Sequence, residues 1–202
     1  MSKPDVDELL NPWTTTSSRI VYENPWITVE HNEVIDPSGR AGVYGVVRPR
    51  NLALGVVPIF DNGDTLLVGQ FRYSLNEYSW EIPEGGGLRD IDPLVSIQRE
   101  LIEETGYRAM EWFPLLHLAL SNSITDEVAM TWVAWALTPG PSAPESTEDL
   151  RIWRLPFHDA LAMIEAGTIT DSLTIVAFQS VELRRLRGQL PPQLAAALAL
   201  AA

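Results

Sequence analysis

The chain has no cysteine among its 202 residues. That absence excludes disulfides, thiolate nucleophiles and cysteine-bound zinc. Histidine is scarce as well, and His31, His117 and His158 stand too far apart in the chain to form a local metal motif. Any metal is therefore expected on oxygen. Positive charge is short: Lys+Arg 14 against Asp+Glu 27 leaves a formal net charge of −13. Such a field repels phosphate backbones and argues against a nucleic-acid partner, so an anionic substrate would need a cation to mediate. Long apolar runs are missing too. The longest, Val128 to Leu137 and Leu194 to Ala202, fall well below the roughly 20 residues that a bilayer-spanning helix needs. Met1 to Leu10 carries Asp5, Asp7 and Glu8 instead of the basic-then-apolar order of an export signal. No membrane association and a cytoplasmic location are the expectations.

With 46% hydrophobic and 20% charged residues, the composition is that of a globular protein of one domain, or one domain with a small appendage. Residues 1–17 are polar, with Thr14, Thr15, Thr16, Ser17 and Ser18 in a row, and read as a flexible arm. From about Arg19, short β-branched and aromatic runs separated by Asn24-Pro25 and Asp36-Pro37-Ser38-Gly39 read as an antiparallel meander over residues 18–50. Leu52 to Phe60 and Thr65 to Phe71 flank Asp61-Asn62-Gly63-Asp64 and suggest a hairpin. Pro83-Glu84-Gly85-Gly86-Gly87 reads as a loop able to bend closely around a ligand.

The hydrophobic period then changes. Asp92-Pro93 offers an N-cap acceptor and proline at the first helical position, and Gly106 a stop, which predicts a helix from Pro93 to Thr105 with Leu94, Ile97 and Leu101 buried. Met110 to Leu120 and Glu127 to Leu137 read as strands around a polar loop from Ser121 to Asp126. Pro139 to Ser146 reads as a linker, Leu150 to Trp153 as a strand, Phe157 to Ala166 as a helix, and residues from Thr170 or Asp171 to about Arg187 as another. Residues 51–188 thus make the main domain and 189–202 a tail that docks as a short helix or frays. Trp26, Trp80 and Trp112 are assigned to core or interface, and His117 to the core.

The chemistry concentrates in Arg99-Glu100-Leu101-Ile102-Glu103-Glu104-Thr105-Gly106-Tyr107. At about 100° per residue, Glu104, Glu100 and Glu103 fall near 280°, 240° and 180° from Leu94, on one side of the helix beside its apolar stripe. Like charges at this spacing destabilise a helix and need a compensating partner. Carboxylates without nitrogen or sulfur donors indicate Mg²⁺, Mn²⁺ or Ca²⁺.

From Gly85 to Tyr107 the chain resembles the Nudix box, which runs Gly, five residues, Glu, seven residues, then Arg-Glu-aliphatic-X-Glu-Glu-X-Gly-aliphatic. Gly85, Arg99, Glu100, Leu101, Glu103, Glu104 and Gly106 fit. Ile91 stands where the box has its first glutamate, Asp90 is the nearby carboxylate left to stand in, and Tyr107 replaces the last aliphatic. Trp80 to Gly86 and Gly69-Gln70-Phe71-Arg72-Tyr73 are similar to the ADP-ribose and nucleotide-sugar pyrophosphatase branch; Ser121 to Glu127 sits at that branch's acidic loop, with Asn122-Ser123 in place of its Pro-Gly.

The resemblance implies an α/β Nudix fold, a mixed β-sheet sandwiched between helices, with an N-terminal antiparallel β-portion. It implies a hydrolase in which water attacks one phosphorus of a nucleoside diphosphate linked to another moiety. Glu100, Glu103, Glu104 and the backbone carbonyl of Glu84 are the implied ligands of Mg²⁺ or Mn²⁺, and Arg99 belongs to the same catalytic group. Arg72, Glu81, Gly85 and Gly86 are the implied substrate-side residues, and either Glu127 or Glu103 the base. A homodimer joined through residues 18–50 is expected. Two alternatives stand beside it: a Nudix-like domain that binds a nucleotide sugar without cleaving it, and an enzyme that clears damaged nucleoside triphosphates.

Overall fold

The computed structural model describes residues 10–141 and 149–200. Residues 1–9 of the expected arm, the linker beyond residue 141 and the final two residues of the tail lie outside the described residues. The chain divides into two compact units, one comprising residues up to Arg50 together with Ala119–Glu127, the other Asn51–Leu118 together with the chain from Val128 onward.

The first unit is built on a three-stranded antiparallel sheet of β1 (Thr14–Glu23), β2 (Ile27–Ile35) and β3 (Ala41–Pro49), in that order. β1 begins at Thr14, five residues earlier than the composition suggests, and pairs Thr14 with Ile35 and Thr15 with Val34. The strand is exposed along its whole length. It therefore carries no buried alternation to betray it, and β-branched threonines supply the local preference.

The second unit is laid out around β4 (Asn51–Pro58), which buries both faces. Next come β5 (Asp64–Arg72), β6 (Glu77–Glu81), β7 (Glu84–Leu88), helix α1 (Pro93–Thr105) and β8 (Tyr107–Ala119). They are followed by β9 (Val128–Pro139), β10 (Arg151–Pro156), α2 (Phe157–Glu165), α3 (Ser172–Leu186) and α4 (Pro192–Leu200). One sheet has the order β7-β4-β9-β8, antiparallel between β7 and β4 and parallel between β4 and β9. Leu54 and Val56 pack with Ile97 and Leu101 of α1 and with Trp132 and Ala134 of β9. On the opposite face Gly55 lies against Leu173 of α3 and Ile82. This is the mixed sheet between helices that the resemblance implies.

Three further expectations are corrected, besides the arm, whose residues from Thr14 onward form β1. β4 and β5 do not form an extended hairpin: they meet only at an Ile59–Thr65 bridge and then enter different sheets, β5 pairing with β6 and β10. Both edges of β4 are already taken, by β7 and β9, so none remains for β5. The glycine stretch is not a loop but strand β7, with Gly85, Gly86 and Gly87 opposite Leu54, Ala53 and Leu52. His117 is exposed on β8, which occupies the sheet edge.

Ile91 lies in the turn before α1 and is 42% exposed. Replacing it by the glutamate of the Nudix box, Ile91→Glu, is expected to move the unfolding free energy by no more than about 0.5 kcal/mol, because the new carboxylate stays in water. Urea midpoints of the two metal-free proteins check this, and a loss above about 2 kcal/mol would mean that the side chain enters the core.

Candidate active site

Helix α1 starts where the Asp92 carboxylate accepts the Leu94 amide at 2.9 Å, with Pro93 at the first helical position. It stops at Gly106, whose φ of 72° is a left-handed conformation that other residues adopt at a cost, and whose amide donates to the Ile102 carbonyl. The termini fix the rotation of the helix. Ile97 and Leu101 enter the core, and Glu100 and Glu104 are carried in beside them, 9% and 3% exposed.

Both carboxylates meet the first residues of β7. The Glu84 amide donates to Glu104 Oε2 at 3.0 Å. A Cβ on Gly85 would stand 2.6 and 2.7 Å from the Glu100 carboxylate oxygens, so no other residue fits there without moving them. The glycine is required by close approach rather than by bending. Arg99 organises the exposed side of the group: Nη2 donates to Glu100 Oε1 and Nη1 to Glu103 Oε2, each at 2.5 Å. Glu103 is thereby turned to Arg99 in an i, i+4 pair.

A second carboxylate group adjoins Glu84. Oxygens of Glu81, Glu84 and Asp171 converge within 4.8 Å of one another. Glu81 is buried at the end of β6, where its carboxylate receives Arg72 Nε at 2.9 and 3.0 Å and Nη2 at 2.5 Å. The same Nη2 pairs with Glu84 Oε1. Glu84 Oε2 is buried and has no hydrogen-bond partner among the described residues. Burial, then the charges of Asp171 and Glu81, push the Glu84 carboxyl well above the usual carboxylate range; Arg72 opposes them and Glu104 adds to them. Asp171 caps α3, accepting the Thr174 amide at 2.7 Å.

The donor set is all oxygen, one buried oxygen is unmet, and Gly85 opens a cradle beside Glu100. These features fit a hard divalent cation. The sequence points to the glutamates of α1 and to Arg72. It misses Asp171, whose capping role already accounts for an aspartate there, and the side chain of Glu84, since only its carbonyl is implied. Gly86 lies against Asn51, 2.8 Å from Nδ2 for an added Cβ. Glu127 belongs to the other unit, at the end of the 119–127 segment, half-buried, with its amide on Thr125 Oγ1 at 3.3 Å.

Residues 13–47 match the nucleoside diphosphate sugar hydrolase N-terminal domain, and residues 49–172 match the NUDIX domain. A methanol dehydrogenase activator of Bacillus methanolicus is 30% identical over 84% of this chain and 92% of its own length. An ADP-ribose pyrophosphatase of Bacillus subtilis (strain 168) is 27% identical over 84% and 92%. An ADP-sugar pyrophosphatase of Mus musculus is 28% identical over 80% and 82%. A crystal structure described as an ADP compounds hydrolase superposes with a TM-score of 0.79 at 22% identity, over 90% of this chain and 98% of that one, a likeness of fold. The domain match spans well over half of the 202 residues and takes in Arg72, every glutamate of α1 and Asp171; by that match the chain belongs to the Nudix family.

Proposed function

We propose that this protein hydrolyses the diphosphate of a nucleoside diphosphate joined to another moiety, of the ADP-ribose or nucleotide-sugar type, as a cytoplasmic homodimer that uses Mg²⁺ or Mn²⁺. The observation that carries the reading is the convergence of two buried glutamates of α1 on the Glu84–Gly85 backbone, where Gly85 leaves room for no side chain. The ADP-ribose and ADP-sugar pyrophosphatases among its relatives supply the substrate class. Retention of Glu100, Glu103 and Glu104 together favours cleavage over binding alone, and the N-terminal domain match favours a sugar diphosphate over a triphosphate.

Glu100, Glu103, Glu104 and the Glu84 carbonyl would hold the cation, with the Glu84 and Asp171 carboxylates next to them. When bound, it neutralises the diphosphate and polarises its P–O bonds. Arg99 keeps Glu100 and Glu103 in place. Arg72, fixed through Nε and Nη2 by Glu81 and Glu84, presents its remaining Nη1 edge to a phosphate oxygen, so Glu81 and Glu84 orient it. In the cleavage step water forms a new O–P bond, the bridging P–O bond breaks toward the leaving phosphate, and the water proton passes to Glu127 or Glu103. Ile20, Val21, Tyr22, Val43 and Trp26, the last 70% exposed, give the N-terminal sheet an apolar surface suited to a second copy.

A panel of nucleoside diphosphate sugars, dinucleotides and triphosphates with Mg²⁺, scored by product, tests the substrate class; turnover of triphosphates alone would overturn it. Glu100→Gln and Glu104→Gln are each expected to lower kcat by about two to three decades while circular dichroism stays unchanged. Wild-type activity in both would remove α1 from the reaction.

The raised Glu84 pKa gives a second outcome. A carboxyl held above its unfolded value contributes stability below that unfolded value and loses it as pH rises through the folded one. Metal-free protein should therefore lose stability as pH is raised above about 5, and Glu84→Gln should flatten that slope. Urea midpoints at pH 5 and pH 8 measure it, and equal slopes in both proteins would contradict the assignment. Light scattering at micromolar concentration should give twice the 22.5 kDa subunit mass; a single subunit would exclude the dimer.

A further inference from the structure

The 119–127 segment links β8 to β9 yet folds with the N-terminal sheet. Its ends are closed by the Leu120 amide on the Glu127 carbonyl at 2.9 Å. Inside, the Ile124 and Thr125 amides donate to the Ser121 carbonyl at 2.9 and 3.0 Å, and Thr125 Oγ1 donates to the Leu120 carbonyl at 2.7 Å. Ser121 itself takes a φ of 42°, in the left-handed region where a residue other than glycine is held at a cost.

Strand β3 grips this turn at three points. The Val47 amide donates to the Ile124 carbonyl at 2.9 Å, forming a parallel bridge between Val47 and Thr125. The Tyr44 hydroxyl donates to the Ser123 carbonyl at 2.6 Å. Arg48 Nη1 reaches Asp126 Oδ2 at 2.8 Å, while its Nε is held at 2.8 Å by Glu30 of β2. The held residues, 123 to 126, immediately precede Glu127.

We propose that Tyr44 and Arg48 are positioning residues that act through Glu127, fixing residues 123–126 and with them the direction in which the chain presents Glu127. This rests on the reading of Glu127 as the base. A misplacement of about 1 Å at a reacting group costs on the order of a hundredfold in rate. Stability is the wrong place to look for the effect of Arg48. Its pair with Asp126 is 43% and 42% exposed on the two sides, and such pairs add little to folding. A bidentate hold between two strands and a loop still fixes direction, and direction is what a base requires.

The test uses the full-length protein with Mg²⁺ and ADP-ribose, in Tyr44→Phe, Arg48→Ala and their double variant. Each single change should lower kcat about three- to tenfold and the double about tenfold or more, with KM within about twofold and an unmoved urea midpoint. Amide hydrogen exchange at residues 120–127 should quicken in the same order. Arg48→Lys, which can satisfy Glu30 or Asp126 but not both, should fall between wild type and Arg48→Ala. In a Glu127→Gln background the further loss of kcat should disappear, because these residues act through Glu127. Persistence of the full loss there, or unchanged kcat and exchange in the double variant, overturns the proposal. Glu127→Gln at wild-type kcat overturns the base assignment instead. Tyr44→Phe keeps the ring and removes one hydroxyl, so it gives an answer even where Arg48→Ala does not fold.

Discussion

The close approach of β7 to α1 is the constraint on which the rest depends. Two carboxylates buried on a helix cost free energy unless something meets them. Here part of the compensation is the backbone itself: the Glu84 amide on Glu104, and a glycine that lets the strand come up to Glu100. That contact sets the register of β7 on β4, with Gly85 opposite Leu54, and Leu54 in turn packs on Ile97 and Leu101 of the same helix. The apolar core and the acidic site are therefore two sides of one junction. A displacement of α1 large enough to relieve the carboxylates would open the core beneath them.

Charge is distributed with the same economy. Arg99 serves Glu100 and Glu103, and Arg72 serves Glu81 and Glu84. Four acidic side chains of the site thus share two arginines, with Glu104 on the backbone amide and Asp171 on its own helix end. The net charge of −13 is no obstacle to an anionic substrate when part of it is stored where a divalent cation is accepted.

Much of this was legible in the sequence because local rules and the global fold agree around α1. Asp92-Pro93 and Gly106 mark its ends, and the 3.6-residue period puts Glu100 and Glu104 beside Leu101. The glycines signal a special backbone, but the same residue type serves bending and close approach; Gly85 is of the second kind, so a segment with the composition of a loop forms a strand. The first half of β1 carries no burial pattern in the sequence, because the strand is exposed throughout. Asp171 escaped because capping is explanation enough for an aspartate before a helix. Pairing between sheets is set by which edges of β4 are free, and no local pattern near Asn62-Gly63 carries that information.

The union of residues up to Arg50 with Ala119–Glu127 bears on how such proteins diversify. A boundary drawn at residue 50 looks clean along the chain, yet it cuts through the hydrogen bonds from Tyr44 and Val47 and through the Arg48 ion pair. An N-terminal sheet exchanged between two relatives would arrive without the loop it holds. Grafts or natural recombination at that point succeed only when the segment around Ser123 and Asp126 travels with the sheet. Substitutions at Arg48 and Asp126 are in that sense a single inherited character, written at two distant places in the gene.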